Sequence, residues 1–364
     1  MNALDCLFLE RACELAERAV GDTSPNPPVG AVLVRNGSVV GEGYHHYAGE
    51  PHAEANALIT AGERARGATL YVSLEPCNHT GRTPPCTTAI VAAGVTRVVT
   101  GARDPNPKTA GAGLGTLRTA GLEVEEAVCP RARRLIEHFA IAVTAKRPFV
   151  TLKMAASLDG YSTSKAGAQE WLTGERAREY VREQRMAHDA VLVGAGTVRI
   201  DNPQLTVRPR HHRRRDYVRI IACESAPLDA GSAVFSPSPG YARTIVLAPG
   251  GLRAQMHPLE RIADVMYVGA QAVRVLDLAV AMRALYERGI HSILCEGGPR
   301  FAAALLESRA VDRVAWLVAP RFLHGATAVP ALQGSSSSAR GMRFDRVEPL
   351  GPDMLISGTV CDDV

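Results

Sequence analysis

Two successive α/β domains are predicted for this chain, from three observations. Runs rich in Val and Ile alternate with stretches whose apolar residues recur at helical spacing, as in a sheet covered by helices. The 364 residues are too many for one ordinary core and suit two domains of typical size. Thr144-Ala-Lys-Arg-Pro148 interrupts the alternation and places the join between 1–147 and 148–364.

In the front half, Leu4, Leu7, Phe8, Ala12, Leu15, Ala16 and Ala19 share one helical face, and Gly21 ends the pattern, predicting an amphipathic opening helix. Ser24-Pro-Asn-Pro-Pro28 is a rigid loop before the apolar run 29–34. Arg35-Asn36-Gly37 then turns the chain into a second strand over 38–43. Pro51 suits a first helical turn, so a helix is expected from Ala53 to Ala65, stopped by Gly67. A strand over 68–73, a helix over 87–93 and a strand over 97–100 follow. Asp104-Pro-Asn-Pro107 with glycines 111, 113 and 115 predicts a loop, and 131–143 a closing helix. In the back half, strands are expected over 149–154, 190–193, 218–222, 244–247, 292–295 and 313–318, with helices between. Ser335 to Ser338 is a low-complexity patch suited to a loop.

Composition narrows the function classes. With 46% hydrophobic and 21% charged residues, the chain is neither disordered nor fibrous. No apolar run approaches the roughly 18 residues of a membrane helix, and no secretory signal is visible, so a cytoplasmic protein is expected. A net charge of +4 does not argue for nucleic acid. The basic run from Arg208 to Arg215 has no interleaved aromatics and is expected to be a solvated loop. Eight cysteines without an export signal suit thiols and metal ligands rather than disulfides. Cys6, Cys13, Cys129, Cys223, Cys295 and Cys361 are read as small buried or half-buried side chains.

The remaining two, Cys77 and Cys86, fall in a pattern with chemistry. His52, Cys77 and Cys86 are one imidazole and two thiols in an order that fills three positions of a tetrahedral zinc and leaves the fourth open for water. Such a zinc lowers the pKa of its water toward about 7. Glu54, two residues after His52, is placed to carry protons from that water to a departing amine, as a general acid/base and not a ligand. A structural zinc would need a fourth protein ligand, and none is apparent. In the back half, Gly194-x-Gly196 after a strand is a weak signal. Gly297-Gly298-Pro299 before a helix is a better phosphate mouth, and two such mouths suit a dinucleotide.

The motifs Pro25-Asn26-Pro27-Pro28-Val29-Gly30, Gly43-Tyr44-His45, His52-Ala53-Glu54 and Leu74 to Cys86, with Gly-Arg-Thr-Pro-Pro before the second cysteine, resemble the bifunctional deaminase/reductases of riboflavin biosynthesis. Lys153 to Gly160, Trp171, Gly194 to Thr197, Asp201 to Arg208 and Glu296 to Pro299 resemble the reductase half of the same family. The resemblance implies a cytidine-deaminase-like α/β/α sandwich followed by a dihydrofolate-reductase-like α/β domain. It implies Zn2+ and NADPH as cofactors and phosphoribosylated pyrimidines as substrates, with a homo-oligomer joined through the reductase domains. Asn26, His45, His79 and Arg82 would contact substrate in the front site. Ala155, Trp171, Thr197, Asp201, Gly298, Pro299, Arg300, Phe301, Ala302, Ala303 and Ala304 would touch NADPH. Gln169, Arg185, Leu205, Arg208 and Glu296 would touch the reductase substrate, with Arg185 and Arg208 as phosphate clamps. Gln169 departs from the family, which usually carries serine there. The competing reading is a transfer-RNA-editing deaminase with an RNA-binding tail, and the long cysteine spacing and the 201–208 motif speak against it.

Overall fold

The computed structural model describes residues 2–80, 84–107, 109–207, 215–224, 228–334 and 340–361. Arg82, Arg208, most of the basic run and Ser335 to Ser338 lie outside them. By its contacts the chain divides into two units, Met1–Lys146 and Arg147–Val364.

The front unit starts with α1 (Ala3–Glu17), whose Asn2 cap accepts from the Asp5 N–H while Asp5 accepts from that of Asn2. Strands β1 (Gly30–Arg35) and β2 (Ser38–Tyr44) form a hairpin, and Asn36 and Gly37 both take positive φ (51° and 76°), as its tight turn requires. Helix α2 (Ala53–Ala61) tightens into a 3-10 turn over Gly62–Ala65 where the sequence predicted one longer helix. Strand β3 (Thr69–Val72), α3 (Cys86–Ala92), β4 (Arg97–Thr100), α4 (Ala112–Thr119) and β5 (Glu123–Glu126) complete the alternation. The sheet order is β2-β1-β3-β4-β5, with β3, β4 and β5 parallel. The expected closing helix is two, α5 (Pro130–Leu135) and α6 (Glu137–Ala145), broken at Ile136.

Glycines 113 and 115 lie in a helix, contrary to the loop expected from them. The buried carboxylate of Glu75 accepts the N–H groups of Gly111, Gly113 and Leu114 at the α4 start, and that of Asp104 (3.0, 3.0, 3.4 and 3.0 Å). An anion at a helix start offsets the poor helix propensity of glycine. Gly113 also lies so close to Pro76 that a Cβ would sit 2.0 Å from the Pro76 carbonyl oxygen.

The back unit contains β6 (Phe149–Ser157), β7 (Tyr161–Thr163), α7 (Glu175–Ala187), β8 (Ala190–Gly194), α8 (Ala195–Asp201), β9 (Val218–Ala222) and β10 (Ile245–Pro249). After the short α9 (Arg253–Met256) come β11 (Asp264–Val268), α10 (Leu278–Glu287), β12 (Ser292–Cys295), α11 (Pro299–Glu307), β13 (Arg313–Ala319) and β14 (Val329–Pro330). Strands β15 (Gly341–Leu350) and β16 (Asp353–Cys361) end the chain. The nine-stranded sheet runs β11-β10-β9-β8-β12-β6-β13-β16-β15, parallel as far as β13. From β8 the chain moves outward through β9, β10 and β11, then returns to place β12 on the other side of β8. That reversal opens a crevice at the strand ends. One apolar core under β6, β8, β9, β10 and β12 takes in α10 and α11, and a second packs on the opposite face. All eight cysteines are free thiols, and Cys6 is exposed rather than buried, because its place on α1 faces outward.

Candidate active sites

In the front unit the ligand-bearing residues come from a helix cap, a loop after a strand and a helix start. His52 is the extended N-cap of α2 (φ −71°, ψ 166°), and its side chain makes no cap bond. Its Nδ1 lies 3.3 Å from the Cys86 Sγ and 3.5 Å from the Cys77 Sγ. Cys86 opens α3, and its N–H donates to Cys77 (3.4 Å). All three donor atoms fall within 4.8 Å of one another. Hydrogen bonding to Cys86, and then to His52, draws the Cys77 thiol toward ionisation. The same bond with Cys77, together with burial, pushes the Cys86 thiol up. Two thiols and an imidazole crowded around one point compete for protons, and a divalent cation relieves that competition by taking both sulfurs as thiolates. The donor set therefore fits zinc.

Glu54, 3% exposed in the first turn of α2, sits beside this cluster, and burial raises its carboxyl above the usual range. His45 is also buried. Its Nδ1 lies 3.1 Å from the Pro51 carbonyl and its Nε2 lies 3.0 Å from Asn26 Nδ2, so both ring nitrogens are engaged within the protein and Asn26 is the member of the pair left half-exposed. Desolvation lowers the His45 pKa. His79 is exposed, next to the undescribed residues 81–83 that include Arg82.

The back unit holds a cleft of about 1340 Å³ at the reversal point between β8 and β12. Ala155, Trp171, Thr197, Asp201, Gly298, Pro299, Arg300, Phe301 and Ala304 line it, as do Gln169, Arg185, Leu205 and Glu296. Ala302 and Ala303 do not: they are buried (0% and 5%) on the other face of α11, where Ala302 packs into the core and donates its N–H to Gly298. Trp171 is largely exposed, with the Arg178 guanidinium 5.4 Å from its ring. Burial raises the carboxyl of Asp201.

Lys153 was given no role by sequence, and the sheet supplies one. Cys295 of β12 pairs with Leu152 of β6, so the next residues along, Glu296 and Lys153, emerge side by side at the cleft. Arg185 donates to Glu296 through Nε and through Nη2 (2.9 Å), and through Nη1 to the Thr206 carbonyl (2.9 Å). Burial would raise the Glu296 carboxyl, but Arg185 and Lys153 hold it below the usual range. Desolvation lowers the Lys153 ammonium, opposed by Glu296. A lysine poised to give up its proton beside a fixed carboxylate suits acid/base work.

Comparison with known proteins finds a match for each half of the chain. Residues 3–102 match the cytidine and deoxycytidylate deaminase zinc-binding region, and residues 148–356 match the RibD C-terminal domain. The riboflavin biosynthesis protein RibD of Aquifex aeolicus is 39% identical, covering 98% of each chain, and that of Escherichia coli is 37% identical, covering 97% of this chain and 98% of its own. The crystal structure of a Thermotoga maritima diaminohydroxyphosphoribosylaminopyrimidine deaminase/5-amino-6-(5-phosphoribosylamino)uracil reductase is similar at a TM-score of 0.84 and 36% identity, covering 98% of this chain and 99% of that one. Acinetobacter baumannii RibD matches at 0.84 and 33%, with the same coverage. The match over 148–356 fills the back half with a reductase domain and disfavours an RNA-binding tail. No described helix is long and apolar enough to cross a membrane. With near-complete coverage by such relatives, the chain belongs to the RibD family of bifunctional riboflavin-biosynthesis deaminase/reductases.

Proposed function

We propose that the front unit deaminates 2,5-diamino-6-(5-phosphoribosylamino)pyrimidin-4(3H)-one at its 2-amino group, and that the back unit reduces the ribosyl group of the resulting uracil to ribityl with NADPH. The carrying observation is that one chain pairs a three-donor metal cluster beside a buried carboxyl with a separate cleft holding Arg185, Glu296 and Lys153.

In the front site His52, Cys77 and Cys86 hold zinc, which when bound supplies the Lewis acidity that makes water nucleophilic near neutral pH. Glu54 takes a proton from the attacking water and delivers it to the departing amine. Its raised carboxyl suits both the gain and the loss. Asn26 presents its amide to the pyrimidine, held in place by His45, and the ribose phosphate is bound by His79 and Arg82. In the back site Ala155, Trp171, Thr197, Asp201, Gly298, Pro299, Arg300, Phe301 and Ala304 bind NADPH, which when bound supplies a hydride for the anomeric carbon. Lys153 gives the balancing proton to the ring oxygen as the furanose opens, and Glu296 keeps Lys153 charged until then. Gln169, Leu205, Arg185 and Arg208 orient the sugar and its phosphate.

The protein acts in the cytoplasm on small molecules, not nucleic acid, and assembles as a homo-oligomer through its reductase domains. Purified protein is to be incubated with the diaminopyrimidinone ribotide, with and without NADPH, reading ammonia and cofactor oxidation separately. Ammonia without NADPH, and oxidation only after deamination, are expected. Failure to release ammonia with zinc bound would overturn the substrate assignment.

A further inference from the structure

The back unit carries a buried cation that the reductase chemistry does not use. Arg219 in β9 is 2% exposed, and no carboxylate among the described residues pairs with it. Both its Nη atoms donate to one acceptor, the Ser236 carbonyl (3.3 and 3.2 Å), its Nε has no partner among the described residues, and its guanidinium lies 5.4 Å from the centre of the Tyr241 ring. A guanidinium buried without an anion is costly, so proteins seldom keep one without a use for it.

Its neighbour points to the use. The Tyr241 hydroxyl accepts from the N–H of Val207, two residues beyond Leu205. Leu205 has φ of 53°, a left-handed conformation that a branched side chain adopts only when its surroundings impose it. The strained segment is pinned at two points, by Arg185 at the Thr206 carbonyl and by Tyr241 at the Val207 N–H. The first pin has a counter-charge, Glu296, and the second ends at the unpaired Arg219. The two pins hold the carbonyl and the N–H of a single peptide, Thr206–Val207, and so fix its plane just before Arg208.

We propose that Arg219, acting through Tyr241, is a positioning residue that sets the Leu205–Val207 segment for the phosphate of the reductase substrate. The cation over the ring face anchors the ring, the hydroxyl holds the backbone, and an unneutralised positive charge behind the segment favours a dianion in front of it. This inference rests on the reading that the reductase substrate is a ribose phosphate held near Arg208.

Tyr241→Phe and Arg219→Met, made in the full chain, test it against two substrates, the phosphorylated ribosylaminouracil and its dephosphorylated counterpart. NADPH affinity is measured by fluorescence and thermal stability alongside. Losing one neutral hydrogen bond, Tyr241→Phe should raise KM for the phosphorylated substrate about two- to tenfold, with kcat, NADPH affinity and KM for the dephosphorylated substrate little changed. Arg219→Met should raise the same KM at least as much while keeping or raising the melting temperature, since a buried unpaired charge has gone. Equal loss on both substrates, weakened NADPH binding in step with KM, or a large fall in stability would show a merely structural role and overturn the proposal. Wild type that does not prefer the phosphorylated substrate would refute the underlying phosphate reading. Preference kept intact in both variants would refute the positioning role alone.

Discussion

Gly113→Ala should cost the protein its zinc although residue 113 touches no ligand atom. The new Cβ would lie 2.0 Å from the Pro76 carbonyl oxygen, where ordinary contact begins at 3.4 Å, so α4 and the Pro76–Cys77 peptide must separate by about 1.4 Å (3.4 − 2.0). Retreat of α4 is resisted by the three backbone N–H bonds that Glu75 accepts from Gly111, Gly113 and Leu114 at its start, so much of the shift falls on Pro76, next to Cys77. Metal–ligand distances tolerate only about 0.2 Å, and disturbing the support of a ligand typically weakens a metal about 10- to 100-fold. The assay is competition of the purified protein against a chromophoric zinc chelator, with deaminase rate read in parallel. Gly115→Ala is the matched control: a Cβ there meets nothing within 4 Å, so the same substitution in the same helix should leave zinc untouched and add about 0.5–1 kcal/mol of stability. Wild-type zinc affinity in Gly113→Ala, or equal loss in Gly115→Ala, would refute the close-approach argument.

Glu54→Gln should retain zinc by metal analysis yet release no ammonia, because an amide cannot carry the proton; loss of zinc would show that Glu54 is a ligand. Cys86→Ser should lose zinc and deamination together while oxidising NADPH normally when given the uracil intermediate. A fragment of 147–364 should be about 1–2 kcal/mol more stable to urea than one of 148–364, because Arg147 pairs with Asp312 through both Nη atoms (2.7 and 2.6 Å); equal midpoints would assign that pair no weight. The Asp5 carboxyl is held well below the usual range by hydrogen bonds from Arg97, the Asn2 N–H and Tyr71, against the effect of burial. A depressed folded-state pKa gives stability that is present above the unfolded value of about 4 and lost as pH falls below it. Urea midpoints should therefore separate wild type from Asp5→Asn by a full and constant margin above about pH 5, and the gap should narrow steadily as pH falls below about 4; a gap that stays constant into that acid range would refute it.

What could be read from sequence was what is local. Two of the zinc donors, His52 and Cys86, stand out because each sits at a helix start set off by Pro51 or Pro85, and Cys77 because it follows Pro76 in the loop after β3; the strands at the centre of each sheet are continuous apolar runs. Helix α4 was unreadable because its stability comes from a carboxylate 36 residues before Gly111 and overrides the two glycines within it, 113 and 115. The edge strand β15 was missed because most of its residues are exposed, apolar and polar alike, leaving no clear alternation. Lys153 looks like an ordinary surface lysine in sequence, and it acquires a role only when β12 is laid beside β6. The hydrogen bonds of His45 to Pro51 and Asn26 were equally out of reach, because they join residues 6 and 19 positions apart across the loops that flank β1 and β2.

The central position of β12 has a consequence for how the back unit is made. Asp189, just before β8, accepts from the N–H groups of Ser292 and of His291, partners 103 and 102 positions away, and β8 reaches its neighbour only after β9, β10 and β11 have been synthesised. Such non-local pairing is entropically costly and comes late in folding. During refolding of 147–364, helical signal should therefore recover before the ability to bind NADPH. On the ribosome, a nascent chain stalled before residue 292 would display the β8 edge as an unfilled slot, open to proteases and chaperones until the last strands arrive.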